Sequence, residues 1–473
     1  MTASTAPLTT GPRVRIGVLM TALLAACVAF QLNASMLSPV LVTMAKELKT
    51  DDAAIGLSQT MFFTAAALFS LFLPRLSDIV GRRKVLVWML AIMTLGTVLA
   101  ALAPNVGVLY VARIIQGVSG PVVPLCLLML RHEISDPKMY GTMMGLVTAV
   151  NGGIAGVDAL AGGVLASNFG FRSVFWVITA VAAISTVLVA KFAPESKPSA
   201  GVKMDWYGVV ALMISIASLL IGLNEAGKTS AANWTFVVVS LVISVVAFIA
   251  FWTIENRSAE PLVAPRHLKQ RSTWALLLTT LLTMTGVFAT VNGLVMSFAQ
   301  NPTAGFDLGA DAASLALLTP YAIVGWIVGP FAGRLAPTLG YGNVLRIGLA
   351  GSAASIALMA FVGINSLPVL IAATVITGIC YAGMVNIMLN GLGVVLSPKD
   401  NPGFLPGLNA GAFNLGAGLS FAVLPAVQIL GSPAGEGSSQ GYVTAMIVGL
   451  VITLLALAVS FLIPRPVGAE IAD

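Results

Sequence analysis

An all-α integral membrane protein with fourteen crossing helices is the fold class this chain predicts, and three observations predict it. Only 9% of the 473 residues are charged, against about 25% in soluble proteins, while 58% are hydrophobic. The uncharged stretches, such as that between Arg15 and Lys46, recur at roughly the length of one bilayer crossing. They are continuous rather than alternating. In lipid the backbone must satisfy its own polar groups within helices or a closed barrel, and continuous apolar runs select helices.

Flanking charges, Pro, Gly and Asn/Asp clusters mark six helices beginning near Ile16, Ala54, Val85, Val106, Met139 and Ser173. A second block of six begins near Thr273, Ala312, Leu345, Pro368, Leu405 and Val443. Between the blocks, Asp205 to Asn224 and Trp234 to Ile254 are each long enough to span at about 1.5 Å rise per residue. The expected organisation is a tail over 1–15, a six-helix bundle over 16–194 and a two-helix linker over 195–270. A second six-helix bundle over 271–464 and a tail over 465–473 complete it. An insert with an even number of crossings lets both blocks start from the same side, as parallel repeats. The first run is too long for a cleaved signal sequence and is expected to stay in the mature protein.

On this assignment the loops on the side of the N-terminus hold nineteen of the 24 Lys and Arg residues. Among them are Arg13, Arg15, Arg75, Arg82, Arg83, Lys84, Lys138, Lys197, Lys203 and Lys399. The opposite loops hold only Lys46, Lys49, Arg172 and Lys228, and Arg113 lies inside a helix. This asymmetry predicts a multi-pass protein of the cell membrane with both termini in the cytoplasm. It also accounts for the net charge of +6 without a nucleic-acid partner.

The segment P-R-L-S-D-I-V-G-R-R-K-V-L, ending at Leu86, joins the second and third helices. It resembles the loop motif of the major facilitator superfamily, usually G-x-L-A-D-x-x-G-R-R/K. Asp78, Gly81, Arg82 and Arg83 match it, and Pro74 replaces the first glycine. A weaker echo from Gly333, G-R-L-A-P-T-L-G-Y-G-N-V-L, supports an internal repeat. R-I-I-Q-G-V-S-G, from Arg113 to Gly120, resembles the family's second motif. With fourteen helices, and E-N-R-S-A-E-P-L-V-A-P from Glu255, the chain is most similar to the drug:proton antiporters of that helix number. Two features depart from them. The fifth helix reads D-A-L-A-G-G from Asp158 to Gly163 instead of G-P-x-x-G-G, and Asn33 stands where an aspartate is expected.

A charge at mid-membrane costs roughly 2.5 to 3.5 kcal/mol, so Arg113 and Asp158 should face a partner or a wet cavity. Placed on antiparallel helices toward the same membrane half, they are expected to meet. The proton affinity of Asp158 would then change as access alternates, making the pair the candidate proton-coupling site; a structural ion pair is the plain alternative. Asp78, Gly81, Arg82 and Arg83 are the candidate conformational latch. The resemblance implies that Asp78 bonds the start of the thirteenth helix, near Gly403 to Leu405, where a helix N-terminus favours an anion. Glycines in the fifth helix (Gly141, Gly145, Gly152, Gly153, Gly156, Gly162, Gly163) and the thirteenth (Gly407, Gly411, Gly416, Gly418) predict close packing between the halves.

The resemblance further implies that the first, fourth, ninth and twelfth helices line a central cavity. Its candidate residues are Gln31, Asn33, Met36, Gln116, Asn292, Met296, Tyr381, Asn386 and Asn390. Mainly apolar with scattered amides, such a lining suits a hydrophobic or amphiphilic organic molecule. The expected function is a monomeric secondary transporter, a proton-coupled exporter of such molecules by alternating access. The alternative is an importer or facilitator of a small organic metabolite; a receptor or lipid-handling protein ranks below both. Neither a metal cluster, a nucleotide loop nor a nucleophile–base pair is present in the sequence, so no cofactor and no enzymatic activity are expected.

Overall fold

The computed structural model describes residues 16–134, 137–196, 204–226, 232–258, 261, 265–398, 404–432 and 438–466. The N-terminal tail, Lys197, Lys203, Lys228, Lys399 and Gly403 fall outside them, as do the side chain of Lys138 and the packing at Gly141, Gly145, Gly152, Gly153 and Gly156.

Helix is the only regular structure among the described residues. The spans are α1 (Ile16–Glu47), α2 (Ala54–Val80), α3 (Arg82–Ala101), α4 (Val106–Glu133), α5 (Pro137–Phe169), α6 (Phe171–Phe192) and α7 (Trp206–Ala226). They continue as α8 (Trp234–Arg257), α9 (Arg271–Gln300), α10 (Ala310–Leu339), α11 (Tyr341–Asn365), α12 (Leu367–Val395), α13 (Phe404–Leu430) and α14 (Ser439–Ser460). Thirteen are long and apolar enough to cross a membrane, by length and composition among the described residues, and the 33-residue α5 completes the order of six, two and six. Helices begin up to four residues before the positions expected from sequence, α3 at Arg82 and α11 at Tyr341. Charge marks where the apolar run stops, whereas the hydrogen-bonded helix continues through the polar interface.

We call the side where α1 begins and α14 ends the terminal face, and the other the distal face. The two halves repeat. Gly81 precedes α3 with φ 117°, and Gly340 precedes α11 with φ 85°, conformations that a side chain disfavours. The fourth helix of each half packs on the second through a glycine. A Cβ on Gly120 of α4 would lie 2.3 Å from the Ala66 carbonyl oxygen of α2, and one on Gly378 of α12 would lie 2.3 Å from that of Tyr321 on α10.

Between the halves, α2 packs along α13, where the Thr60 hydroxyl donates to the Gly418 carbonyl at 3.3 Å and Asn414 donates to Ser70 Oγ at 3.4 Å. Phe63 stacks on Phe421, and Phe288 of α9 meets both edge-on. The linker helices pair with each other, Ser215 Oγ donating to the Ser244 carbonyl at 3.0 Å. Helix α7 lies against α2 and α13, with Trp206 tilted on Phe72. Helix α8 lies outside it and turns Val238, Val239, Val242 and Ile243 outward, as a lipid-facing surface requires.

Candidate functional site at the bend of the first helix

Helix α1 does not run straight. Its α-helical part ends at Ser35, a short tighter turn covers Ser38–Val40, and the helix resumes at Leu41. Pro39 has no N–H to continue the ladder, so the break falls just before it. Three partners hold this bend. Asp158 of α5 accepts a hydrogen bond from Ser35 Oγ at 2.5 Å, and Ser35 in turn accepts one from Gln31 Nε2 at 3.0 Å. One turn further along α5, a Cβ on Gly162 would lie 2.3 Å from the Met36 carbonyl oxygen, so only a glycine lets the helices come this close. From the second half, Asn292 Oδ1 accepts from Ser38 Oγ at 3.3 Å.

Arg113 reaches α1 from the other side. It is fully buried, and its Nη atoms both donate to the Asn33 carbonyl at 3.3 Å. Nη1 also donates to Gln116 Oε1 at 2.7 Å and Nη2 to Gln59 Oε1. The guanidinium lies 4.2 Å from the centre of the Phe62 ring. All of these are neutral groups, and delocalised charge over an aromatic face tolerates such surroundings. Arg113 and Asp158 therefore do not meet, contrary to the expectation from sequence: each is tied to α1, two residues apart. Gln59, Ser35, Ser38 and Phe62 were not singled out from sequence. A glutamine in an apolar run was the available signal for Gln59, and Pro39 for the bend that presents the serines.

Asn292 lies in a widened turn of α9 (Thr290–Val295) and Tyr381 in one of α12 (Gly378–Val385), a helix irregularity frequent at functional sites. The Tyr381 hydroxyl donates to Met284 Sδ at 2.8 Å, and Met296 is buried. Toward the terminal face, Gln31 and Asn386 are half-buried and Asn390 is exposed, with Asn390 Nδ2 donating to the Asn386 carbonyl at 2.9 Å. Phe288 and Phe413, also half-buried, meet with ring centres 6.5 Å apart. Toward the distal face the halves close on each other. A Cβ on Gly163 of α5 would lie 2.6 Å from the Ala310 carbonyl oxygen of α10, and Ser167 Oγ donates to Asp311 Oδ1 at 3.2 Å.

The loop residues form a different contact from the expected one. Asp78 Oδ1 accepts from Arg82 Nε at 3.0 Å and Nη2 at 2.9 Å, and Arg82 Nη1 donates to the Leu128 carbonyl at 2.9 Å. The backbone N–H groups of Arg82 and Arg83 donate to Ser196 Oγ and Glu195 Oε1. A Cβ on Gly81 would lie 2.5 Å from that Glu195 oxygen. Asp78 thus binds within its own half, the backbone of Arg82 and Arg83 binds the start of the linker, and Leu405 at the start of α13 donates its N–H to Ser397 at 3.4 Å.

Two repeated helical bundles closing around buried polar groups define a membrane transporter. Residues 23–425 match the model of the Major Facilitator Superfamily, and the chain belongs to that family. It is a transporter of a small organic molecule and not an enzyme. Over 452 residues, 94% of both chains, it is 50% identical to a uridine/deoxyuridine transporter of Lactococcus lactis subsp. cremoris. Multidrug resistance protein 3 of Bacillus subtilis is 27% identical over 197 residues, 42% of this chain and 38% of its own length. The crystal structure of the nucleoside transporter NupG shares the fold, with a TM-score of 0.62 at 14% identity, covering 94% of this chain and 99% of that one.

The expectation of a proton-coupled drug exporter is overturned by these relatives. The longer and stronger match is to the uridine/deoxyuridine transporter, which supports the alternative of a metabolite importer. The two departures from the exporter pattern, at Asn33 and at Asp158 with Ala159, lie at the bend of α1 and beside it.

Proposed function

We propose that this protein imports a pyrimidine nucleoside of the uridine kind across the cell membrane by alternating access, as a monomer with both termini in the cytoplasm. The observation that carries this reading is the 50% identity to the uridine/deoxyuridine transporter over 94% of both chains. The central groups agree with it. A nucleoside is a flat aromatic base on a hydroxylated sugar. Phe288 and Phe413 offer faces for the base, and Gln31, Asn292, Asn386 and Asn390 offer amides to donate to and accept from hydroxyls. No fixed negative or positive charge is needed to bind a neutral nucleoside.

On this reading the conformation is open to the terminal face, through Asn386 and Asn390, and shut at the distal face, by Gly163 on Ala310 and Ser38 on Asn292. Asp158 is the proton site, because it is a buried acid whose Oδ2 is tied to the bend of α1. Proton and nucleoside would move inward together, α1 transmitting the state of one site to the other. Arg113 holds the same bend without neutralising Asp158.

The test is uptake of labelled uridine by proteoliposomes carrying the purified protein, with the interior made alkaline. Concentrative uptake that competing deoxyuridine suppresses is expected, and it should collapse when a protonophore removes the gradient. Uptake no greater than in protein-free vesicles would sink the proposal.

A further inference from the structure

Three buried polar atoms around Arg113 lack a hydrogen-bond partner: Asn33 Oδ1, Gln116 Nε2 and Arg113 Nε. Their chemical sense is set by the bonds their neighbours make. Asn33 Nδ2 donates to the Ala29 carbonyl at 3.0 Å, which leaves Oδ1, an acceptor, as the unused end. Gln116 Oε1 accepts from Arg113 at 2.7 Å, which leaves Nε2, a donor. The guanidinium Nε is a donor only. The unused set is two donors and one acceptor, on three side chains that are completely buried. Buried polar groups are nearly always satisfied, so three unmade bonds around one guanidinium call for a ligand.

We propose that Asn33, Gln116 and Arg113 bind the Watson–Crick edge of the pyrimidine base, a reading that rests on the proposed nucleoside transport. The count selects a pyrimidine: cytosine, with acceptors O2 and N3 and an N4–H donor, presents the same numbers as uracil. Uracil presents two acceptors, O2 and O4, and one donor, N3–H, the complement of the unused set. Guanine presents two donors and one acceptor, which would leave like groups facing one another. Adenine presents one of each and leaves a protein donor unmet.

The site is covered in this conformation by α1. Both Nη contacts to the Asn33 carbonyl are long, 3.3 Å, and Asn33 lies two residues before the end of the regular helix at Ser35. Gln116 lies immediately before the tight turn Gly117–Ser119 of α4. The polar edge is thus placed where both helices depart from regular geometry, with its acceptor on α1 and its two donors on α4. Phe62, already against the guanidinium, provides an apolar wall beside it.

The experiment is competition against labelled uridine uptake in proteoliposomes, using uridine, 3-methyluridine and guanosine. Ligand-induced thermal stabilisation of the detergent-solubilised protein gives a readout that does not depend on transport. Methylation at N3 removes the donor and adds bulk at the edge, so 3-methyluridine should compete about tenfold or more weakly than uridine and stabilise correspondingly less. In Asn33→Leu and in Gln116→Leu that discrimination should shrink. Equal competition by 3-methyluridine, with uridine uptake intact, overturns the edge assignment and leaves the transport reading standing. Discrimination that persists undiminished in both variants overturns it as well, because recognition then lies elsewhere. Absence of any uridine uptake or stabilisation removes the transport reading and this inference with it.

Discussion

Ser35 Oγ stands 2.5 Å from Asp158 Oδ2, so the acid of α5 is tied to the bend of α1 and not to the guanidinium of α4. Two residues earlier, Asn33 gives its backbone carbonyl to Arg113. The two buried charged side chains therefore grip opposite sides of one short segment. Any displacement of residues 33–35 alters the hydrogen bonding of both, and a change at either one is felt at that segment. A coupled transporter needs this kind of mechanical link between sites that do not touch.

Asp158→Asn keeps an acceptor for the Ser35 hydroxyl and removes the titratable group. Under the proposed mechanism, gradient-driven uridine accumulation should disappear while exchange of internal for external uridine persists. Measuring both in the same vesicles checks it. Accumulation that survives the substitution assigns proton movement to another group, and loss of exchange as well would mean that Asp158 serves packing instead.

Gly120 and Gly378 hold equivalent places in the two halves, each with a neighbouring carbonyl oxygen 2.3 Å from where a Cβ would stand. Gly120→Val and Gly378→Val should each force α4 from α2, or α12 from α10, at a cost of about 1–3 kcal/mol or more. Thermal unfolding of the purified variants should show matching losses. Gly407, which has nothing within 4 Å of a built Cβ, provides the control, and Gly407→Ala should unfold as the wild type does.

The architecture was legible because lipid imposes it: runs such as Trp234 to Ile254 can only be helices, and α8 spans Trp234–Arg257. The repeat was legible from the echo of the Gly81 loop at Gly340, where both glycines adopt positive φ. The site was legible residue by residue but not as an arrangement. Arg113 and Asp158 stood out because charge is rare in apolar runs, yet their partners are a backbone carbonyl, two glutamine amides and a hydroxyl, which leave no trace in a charge pattern. The widened turns at Thr290–Val295 and Gly378–Val385 carry no proline to announce them. The drug-exporter reading failed because the motifs around Asp78 and Arg113 mark a family and do not name a substrate.

Arg113 distributes its Nη donors over Gln59, Gln116 and the Asn33 carbonyl in a planar fork. A lysine offers a point charge that cannot reach all three with the same geometry. Arg113→Lys should therefore keep the protein folded while lowering uridine uptake at least tenfold, with a thermal midpoint near that of the wild type. Gln59→Leu, which deletes one acceptor of the fork, should weaken uptake in the same direction but less. Wild-type uptake in Arg113→Lys would show that charge alone suffices and that the fork has no part in holding α1.

Gly163 of α5 faces both the Ala310 carbonyl oxygen and Ser314 Oγ, each 2.6 Å from a built Cβ, and Ser167 exchanges hydrogen bonds with Asp311 one turn beyond. The exposed Ser167–Asp311 contact contributes little by itself, so the close backbone approach at Gly163 is what keeps the distal face shut. Gly163→Leu should hold the halves apart there. A bias of about 1.4 kcal/mol multiplies the distally open population tenfold, and a cysteine placed at Ser38 reads it, because Ser38 is buried against Asn292 in the closed form. In a background with Cys27, Cys126 and Cys380 replaced by alanine, Ser38→Cys should react slowly with a membrane-impermeant thiol reagent applied from the distal side. Adding Gly163→Leu should raise that rate severalfold and lower net uptake, since a carrier held open on one side cannot complete its cycle. An unchanged labelling rate would place the distal closure elsewhere than at the α5–α10 contact.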